Sequence, residues 1–184
     1  ITATAGSNGT ITPSGTKTLD YGASQTYTVT PATGYHVASV LVDGTTATLT
    51  AGSYTFSNVT ANRTIAVTFA IDTFTITATA GSNGTISPVG TATVDYGTSR
   101  TYTVTPATGY HVDSFLVDGT TATLVGGTSY TFSNVTANHT IAVTFAIDTF
   151  TISASVGANG SITPSGTTTV DYGASQTYTV TPAT

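Results

Sequence analysis

The chain has 184 residues, of which only 6% are charged, against about a quarter in ordinary soluble domains. Three basic residues and a net charge of −5 argue against a protein that binds nucleic acid or an anionic membrane surface through clustered Lys and Arg. There is no cysteine, and no apolar run is long enough to span a bilayer, so we expect no membrane insertion in this segment.

An internal repeat organises the sequence. Residues Ile1–Thr10 recur unchanged at Ile76–Thr85 and return in altered form at Ile152–Ser161. A fixed period of about 75 residues fits a small folded domain in each copy better than the coil of a solenoid. We therefore predict a tandem array.

The copies differ in length by one residue, which lies in a turn. Thr48–Tyr54 in the first copy becomes Thr123–Tyr130 in the second. The third copy is incomplete, and we expect the array to continue beyond the given chain, in short-linked, tightly coupled modules. The predicted modules are residues 1–72, residues 73–148 and, in part, residues 149–184.

The first predicted turn is Asn8-Gly9, which recurs as Asn83-Gly84 and Asn159-Gly160. Both residue types tolerate a positive φ, and this pair between alternating segments is typical of a two-residue β-hairpin. We therefore predict a hairpin at each of these positions.

The segment Gly34–Gly44 has strand composition but breaks the alternation. Its apolar residues change phase by one residue between Val37 and Val40. A β-bulge near Ala38-Ser39 would restore the phase, and a strand buried on both faces is the alternative. Asp43-Gly44, at the end of the segment, predicts a further hairpin turn.

Strict alternation continues at the start of the second copy. Thr73–Ala80 places Phe74, Ile76 and Ala78 on one face and a row of Thr on the other, and Thr140–Ile147 alternates in the same way. No stretch has helical periodicity with caps. The sequence thus predicts an all-β fold of tandem small β-domains, with seven or eight short strands in each.

A long motif then suggests a family. It runs from Gly-Thr-x-Thr-Val-Asp-Tyr-Gly to Thr-Gly-Tyr-His-Val, through Val-Asp-Gly, to Tyr-Thr-Phe-Ser-Asn-Val-Thr-Ala-Asn-x-Thr-Ile-Ala-Val-Thr-Phe, at Gly90–Val112, Val117–Gly119 and Tyr130–Phe145. The copy at Gly15–Phe69 matches it, with Leu19 in place of Val94. This set resembles the divergent internalin B B-repeat modules over the whole chain, the third copy only partly.

The resemblance implies a large bacterial or archaeal surface or secreted protein, in which such repeats act as spacers, stalks or adhesive modules. It also implies a β-grasp-like fold, whose helix is not evident in this sequence. A β-grasp-like domain and a compact β-sandwich-like domain therefore both stay open. The family carries no catalytic residues to transfer, so we expect no enzyme and no cofactor.

All seven asparagines lie in Asn-x-Ser/Thr sequences, which are N-glycan acceptors in secreted proteins of organisms that have the machinery. The alternative is that a Thr-rich chain contains such triplets by composition and that the Asn-Gly pairs serve turns. The most favoured acceptors are Asn58, Asn62, Asn134 and Asn138, followed by Asn8, Asn83 and Asn159.

Two histidines, His36 and His111, follow a Tyr and lie near Asp43 and Asp118 in sequence. A metal or acid–base role needs convergent ligands, and no second His or carboxylate stands at ligand spacing. We interpret both as histidines on a strand face and predict no metal site.

The remaining polar candidates also have a structural interpretation. His139 replaces Arg63 between copies, which indicates a plain solvent position. Asp72 and Asp148 sit where calcium could bind between modules, but the carboxylates are too scattered for the six to eight oxygens that calcium takes.

The conspicuous tyrosines Tyr21, Tyr35, Tyr96 and Tyr110 raise the possibility of a platform on which sugars stack. Alternation places several of them on the core face, so we predict packing instead.

Exposed edge strands normally carry charge that prevents edge-to-edge pairing, and this chain has almost none. We therefore expect the edge strands to associate with neighbouring modules or subunits, for which strand addition is one route. The alternative is that glycans or bulges protect the edges. The sequence favours a structural stalk, spacer or filament body outside the cell. The alternative is an adhesin whose repeats contact glycans or proteins.

Overall fold

The computed structural model describes residues 1–183, which form twenty β-strands and, within that range, no helix. The predicted all-β fold is therefore confirmed. The chain divides into two compact units. The first comprises residues 1–74, 94–98 and 133–136, and the second comprises the other described residues.

Eight strands make up the first repeat. They are β1 Thr2–Ala5, β2 Gly9–Thr12, β3 Gly15–Thr16, β4 Gln25–Pro31, β5 Tyr35–Val42, β6 Thr45–Thr46, β7 Ser53–Phe56 and β8 Thr64–Ile71. One sheet has the order β3-β1-β8-β5-β6 and the other the order β2-β4-β7. β1 and β8 run parallel, whereas the other neighbouring strands are antiparallel.

The two sheets of the first repeat share one hydrophobic core. Alternation along β4 buries Tyr27 and Val29 and leaves the threonines between them exposed. Ile65 and Val67 of β8 do the same in the other sheet, and Phe56 of β7 joins them. Because one face of each sheet enters this core, the domain is sandwich-like, and the helix of a β-grasp fold has no counterpart in residues 1–183.

The second repeat has the same arrangement. Its strands are β9 Thr73–Ala80, β10 Gly84–Ser87, β11 Gly90–Asp95, β12 Arg100–Pro106, β13 Tyr110–Val117, β14 Thr120–Thr121, β15 Ser129–Phe132 and β16 His139–Ile147. The sheets have the orders β11-β9-β16-β13-β14 and β10-β12-β15. Ile76 and Ala78 of β9 are completely buried, as the alternation of this strand predicts.

The third copy contributes two strand pairs to the described chain. Its strands are β17 Thr149–Ala154, β18 Gly160–Thr163, β19 Gly166–Asp171 and β20 Thr179–Pro182. β17 pairs with β19 and β18 pairs with β20, both antiparallel.

The threonine rows have a visible role on the outer faces of the sheets. Opposite threonines on neighbouring strands bring their hydroxyls together, with Oγ1–Oγ1 distances of 2.8 Å for Thr26 and Thr55 and for Thr101 and Thr131. Such cross-strand pairs contribute about 0.2–1 kcal/mol each relative to alanines. Threonine therefore stabilises the pairing of neighbouring strands through these hydroxyl contacts, in addition to its intrinsic preference for strands.

The irregular strand of the sequence is β5, and the predicted bulge is present. Its pairing with β8 shifts register between Val37 and Ser39, and β13 shifts at the same place, between Val112 and Ser114. The predicted Asp-Gly hairpin is also present, since β5 pairs with β6 across Asp43 and Gly44. Both turn residues have positive φ, at 50° and 80°.

The prediction of Asn-Gly hairpins is wrong. Asn8 does have a positive φ, at 71°, and the chain does turn there. However, β1 and β2 lie in different sheets and do not pair with each other. The same holds for β9 and β10 after Asn83, so this turn passes the chain from one sheet to the other.

Of the four conspicuous tyrosines, Tyr96 packs as predicted, against Phe74, whereas Tyr21 does not pack. Tyr21 is 85% exposed, and Tyr35, Tyr96 and Tyr110 are only partly buried. The tyrosines of the core are instead Tyr27 and Tyr102, whose neighbours in β4 and β12 alternate more strictly.

Candidate functional site

In the first unit, several hydrogen bonds and aromatic contacts converge on one glycine, Gly34. The turn that ends β4 closes with a hydrogen bond from the Tyr35 amide to the Ala32 carbonyl, 3.0 Å long. Gly34 completes this turn with φ +78°, a conformation that residues with a Cβ rarely adopt. Its carbonyl then accepts a 2.8 Å hydrogen bond from the amide of Asp72.

Asp72 is the only residue between β8 and β9, and both its backbone groups are used. Besides the bond from its amide to Gly34, its carbonyl accepts a 2.8 Å hydrogen bond from the amide of Tyr96. A linker of one residue with both groups bonded has little freedom to rotate. The two hydrogen bonds join the turn before β5, the start of β9 and the end of β11.

The Tyr96 ring covers Gly34. A Cβ built on Gly34 would overlap Cδ1 and Cγ of that ring, so no other residue fits beneath it. Phe74 packs against the same ring in a tilted arrangement, with centroids 6.3 Å apart. The glycine thus serves the turn and the close approach of the aromatic ring at once.

His36 contributes the side-chain part of the cluster. Its Nδ1 lies 2.8 Å from Oδ1 of Asp72, and both side chains are substantially exposed. An exposed pair of this kind is worth roughly 0–1 kcal/mol, so it orients Asp72 more than it stabilises the fold. We name Gly34, His36, Asp72, Phe74 and Tyr96 the junction cluster.

The second unit contains an equivalent set. Gly109 has φ +79°, and a Cβ there would overlap the ring of Tyr172. The backbone amide of Asp148 donates to the Gly109 carbonyl, and the backbone carbonyl of Asp148 accepts from the Tyr172 amide, both at 2.8 Å. The Oδ1 of Asp148 lies 2.8 Å from Nδ1 of His111. Phe150 stands 6.4 Å from Tyr172, centroid to centroid. The cluster is therefore a property of the repeat.

A model of the divergent InlB B-repeat domain matches residues 1–73 and again residues 74–149. The chain belongs to this family. Domains of this kind are typical of surface and extracellular proteins of bacteria, and the predicted resemblance is confirmed. No curated protein matches the chain at a significant level.

Sequence reasoning missed the partners of the histidines in both B-repeats. It noted only that His36 and His111 lie near Asp43 and Asp118 in sequence, and it considered Asp72 and Asp148 only as calcium ligands. The sequence did contain a signal for this pairing. The residue between two predicted strands is Asp in both copies, and a His follows Gly-Tyr in both copies.

The prediction that His139 is a plain solvent position is wrong. Its Nδ1 lies 2.7 Å from Oδ2 of Asp118, and its ring stacks on Phe132 with centroids 4.6 Å apart. Burial acts to raise the pKa of Asp118, but hydrogen bonds from His139 and the Thr140 amide outweigh it and hold the pKa below its usual value.

The first B-repeat has Arg63 at this position, and it makes the corresponding contacts. Arg63 pairs with Asp43 and lies over the ring of Phe56, 5.3 Å from its centroid. The Thr64 amide, which donates to Asp43, is the main cause that lowers the pKa of this carboxyl, and Arg63 adds to it. The exchange of Arg for His therefore conserves a side chain that contacts the Asp carboxylate through a nitrogen and lies over an aromatic ring.

The seven asparagines of the Asn-x-Ser/Thr sequences are all exposed. Five of them have positive φ and shape turns, namely Asn8, Asn58, Asn83, Asn134 and Asn159. Asn138 has another use, because its Oδ1 accepts a 2.8 Å hydrogen bond from the Thr75 amide. These local roles explain the residue type, and glycosylation stays a prediction.

Within residues 1–183, no group of three or more His, Cys, Asp or Glu is placed to hold a metal ion. In the same range, no helix is long and apolar enough to cross a bilayer.

Proposed function

We propose that this chain is a non-catalytic structural segment of a secreted or cell-surface protein, in which the B-repeats act as a stalk or spacer. The junction cluster carries the proposal. A spacer has to pass a fixed orientation from one repeat to the next, and each cluster fixes the one-residue linker through both of its backbone groups.

The composition supports the same role. The chain has no Cys or Met that oxidants could modify and only three Lys and Arg as sites for trypsin-like proteases. Its exposed faces are threonine rows held by cross-strand hydroxyl pairs. Such a surface suits a segment that connects other parts of a protein in the extracellular space.

A distance measurement tests the structural part of this proposal. The chain has no cysteine, so exposed Thr46 and Thr136, both in the first unit, can be replaced by Cys and spin-labelled uniquely. We expect a narrow distance distribution by pulsed electron paramagnetic resonance. Gly34→Ala should broaden it, because the new Cβ displaces the Tyr96 ring.

Gly44→Ala is the matched control. Gly44 has nearly the same φ, +80°, but open space where the Cβ would lie. An Ala at position 44 has the same unfavourable positive φ as an Ala at position 34, but its Cβ collides with no atom. This variant should therefore keep the distance distribution narrow. A wild-type distribution as broad as that of Gly34→Ala would overturn the proposed spacer.

A display experiment tests the role on a surface. An epitope is fused to a bacterial surface anchor directly, through one copy of the chain or through two copies. A spacer should move the epitope away from the cell in steps, read as increasing access for a bulky antibody at equal surface amounts. Access that does not depend on the number of copies would contradict the proposal.

The second candidate is an adhesin, and one observation favours it. The turn that differs between the copies, Val125–Thr128, exposes 73% of Val125 and borders a cavity of about 410 Å³ beside Phe115 and Leu124. A variable loop next to a recess is where ligand recognition normally resides. Binding of immobilised glycans or matrix proteins, lost when Val125–Thr128 is replaced by Thr-Ala-Gly of the first copy, would support this role.

A filament body is a variant of the structural role. It requires chains to associate, and in the first repeat the outer strands β2, β3, β6 and β7 have only two to four residues each, which limits an added ladder. Electron microscopy of the purified chain distinguishes fibres from single particles.

A further inference from the structure

A recess in the second B-repeat is bordered by residues in which this copy differs from the first. It has a volume of about 410 Å³ and lies between Val112–Phe115 of β13 and residues of the segment Thr121–Gly127. The added residue of this copy lies in the loop beside it. The substitutions around it are Ala38 to Asp113, Val40 to Phe115, Thr50 to Val125 and Ala51 to Gly126. The chemistry of this recess is therefore particular to the second copy.

Asp113 is the charged residue of the recess, and its counterpart in the first copy is Ala38. The other seven aspartates recur at equivalent positions of at least two copies, namely Asp20, Asp95 and Asp171, Asp43 and Asp118, and Asp72 and Asp148. Asp113 is exposed, and within residues 1–183 it forms no ion pair. A carboxylate added to the surface in this way is complementary to a cation on a partner.

The bulge of β13 positions this carboxylate. Asp113 is the extra residue of the bulge, since Val112 stands opposite Phe145 and Ser114 opposite Thr144. Its Oδ2 accepts a 3.1 Å hydrogen bond from the Thr144 hydroxyl. In the first copy, where Ala38 occupies the bulge, the equivalent hydroxyl of Thr68 lies 2.6 Å from that of Ser39. A bulge can redirect a side chain, and here it holds the carboxylate at the recess through one of its two oxygens.

The recess also has an apolar part. Its lining includes Val112 and Leu124, which are half-buried, and Phe115. At its border Val125 is 73% exposed, where the first copy has Thr50. An exposed apolar residue beside an apolar recess is typical of an interaction site. A group that fills this place therefore needs an apolar stem as well as a cationic end.

Lysine and arginine side chains have both of these parts, because an aliphatic stem carries the charged head. A sugar fits less well. Sugar rings stack on the open face of an aromatic side chain, and the aromatic residue that lines this recess, Phe115, is only 4% exposed. The observations therefore favour a protein partner over a glycan.

The edge of β13 beside Asp113 is open to such a partner. The sheet ends at β14, which pairs with Leu116 and Val117 of β13. Within residues 1–183, the stretch from Val112 to Ser114 therefore has β16 on one side and no strand on the other. An extended protein segment that adds at such an edge gains main-chain hydrogen bonds, and its side chains are then aligned with the neighbouring recess.

We propose that the recess formed by Asp113, Phe115, Leu124 and Val125 binds a Lys or Arg side chain on an extended segment of another protein. The segment lies along the edge of β13, the aliphatic stem packs against Leu124 and Val125, and the cationic head pairs with Asp113. This inference goes beyond the spacer role. It rests on the second candidate function, the adhesin, for which it names the site and the chemistry of the partner.

Peptide binding to the full chain tests the partner chemistry. The probe is an array of short blocked peptides whose central residue is Arg, Lys, Gln or Glu and whose neighbours run through the apolar amino acids. We expect the Arg and Lys peptides to bind about 2- to 5-fold more tightly than their Gln counterparts, as for a partly exposed ion pair, and the Glu peptides to bind least. Equal binding of Arg and Gln peptides, or no binding by any peptide, would overturn the proposal.

A thermodynamic cycle locates the contact. The tightest Arg peptide and its Gln counterpart are titrated into isotope-labelled protein and followed by NMR, with saturable shifts expected at Val112–Phe115 and Leu124–Gly127. Asp113→Asn should weaken the Arg peptide by the same 2- to 5-fold, roughly, and leave the Gln peptide unchanged, because both changes remove one contact. The fold should stay intact, since Asp113 is exposed and an amide oxygen also accepts from Thr144.

Two controls accompany the cycle. Asp95→Asn makes the same change of net charge at another exposed Asp and should alter neither affinity. The first repeat is the control within the chain, because Ala38 stands at the position of Asp113. Losses that simply add between peptide and protein, or equal shifts at Val37–Val40 of the first copy, would contradict the site.

The proposals fail separately. A chain that binds immobilised glycans through Val125–Thr128 and ignores basic peptides would overturn this site and leave the adhesin standing. A narrow spin-label distance in the same chain would still support the spacer role, because that distance does not depend on a ligand.

Discussion

Residues 73–107, the first half of the second B-repeat, and residues 149–183 have similar sequences and differ greatly in burial. Strand pairing is common to both: Gly160 stands opposite Pro182 just as Gly84 stands opposite Pro106. Burial is not: Ile76 is completely buried, whereas its counterpart Ile152 is 37% exposed. Val104 and its counterpart Val180 are 1% and 65% exposed.

The difference teaches which part of the repeat supplies the core. β9 lies against β16, and β12 lies against β15, so the strands from the second half of the repeat cover the first half. Residues 149–183 contain only the counterparts of β9 to β12. Local sequence is sufficient for pairing, but an identical side chain becomes a core residue only when the later strands cover it.

The largest effect that tests this comparison comes from a matched pair of isoleucines. Ile76→Ala should cost about 2–5 kcal/mol of unfolding free energy, because it removes buried methylenes and leaves a cavity. Ile152→Ala should cost less than about 1 kcal/mol. Urea denaturation followed by circular dichroism measures both, and equal losses would show that the third copy has a core of its own.

A pair of glycines should give an intermediate effect. A Cβ at Gly84 would overlap the ring of Phe145, which belongs to β16, whereas at Gly160 the nearest atom is the Thr181 carbonyl oxygen, 3.2 Å away. Gly84→Ala should therefore destabilise by about 1–3 kcal/mol and Gly160→Ala by less. Thermal melts of the two variants check this, and a larger loss for Gly160→Ala would contradict it.

Acid should affect the complete repeats through Asp43 and Asp118, whose folded-state pKa values lie below the unfolded value of 3.8. Their stabilisation is present above pH 3.8 and is lost as the pH falls through the lower folded pKa. The melting temperature should thus fall between about pH 5 and about pH 2. The double variant Asp43→Asn, Asp118→Asn should show a shallower fall, and an unchanged profile would exclude these carboxyls as the cause.

The smallest effect concerns the core tyrosines. The hydroxyls of Tyr27 and Tyr102 are buried without a hydrogen-bond partner, and burial raises the pKa of both above 10.0. Their contribution is complete below pH 10.0 and is lost as the pH rises through the folded pKa. Tyr27→Phe should change stability at neutral pH by only about 0–1 kcal/mol, in the stabilising direction.

The alkaline limb provides the control for this prediction. The double variant Tyr27→Phe, Tyr102→Phe should unfold at a higher pH than the parent chain in an alkaline titration. Tyr21→Phe, at a tyrosine that is 85% exposed, should leave the pH of unfolding unchanged. A double variant that unfolds at the same pH as the parent would contradict the assignment.

Local chemistry explains how much of the fold could be predicted. The alternation in Thr73–Ala80, the slip near Ser39 and the Asp43-Gly44 hairpin are each decided within a few residues. The hairpin predicted at Asn8-Gly9 was wrong because the turn residues determine only that the chain bends. Which sheet the next strand joins depends on partners far away in the sequence. Tyr21 and Tyr96 show the same limit, since one motif has two environments.

The candidate site was harder to predict, because every contact in it is long-range. His36 and Asp72 are 36 positions apart, and the seven strands β5 to β11 separate Gly34 from Tyr96 in the chain. Nothing in the residue types selects Asp72 over Asp43 as the partner of His36. The contact follows from the antiparallel pairing of β5 with β8, which sets His36 opposite Ala70, two residues before Asp72.

The one-residue linker also determines how such a chain can change in length. With both backbone groups of Asp72 and of Asp148 committed, an added residue at either place would break two hydrogen bonds at once. The single insertion between the copies lies instead in the turn at Val125–Thr128, where it disturbs no junction. The difference in length between the copies therefore lies in a surface turn and not at the one-residue linker.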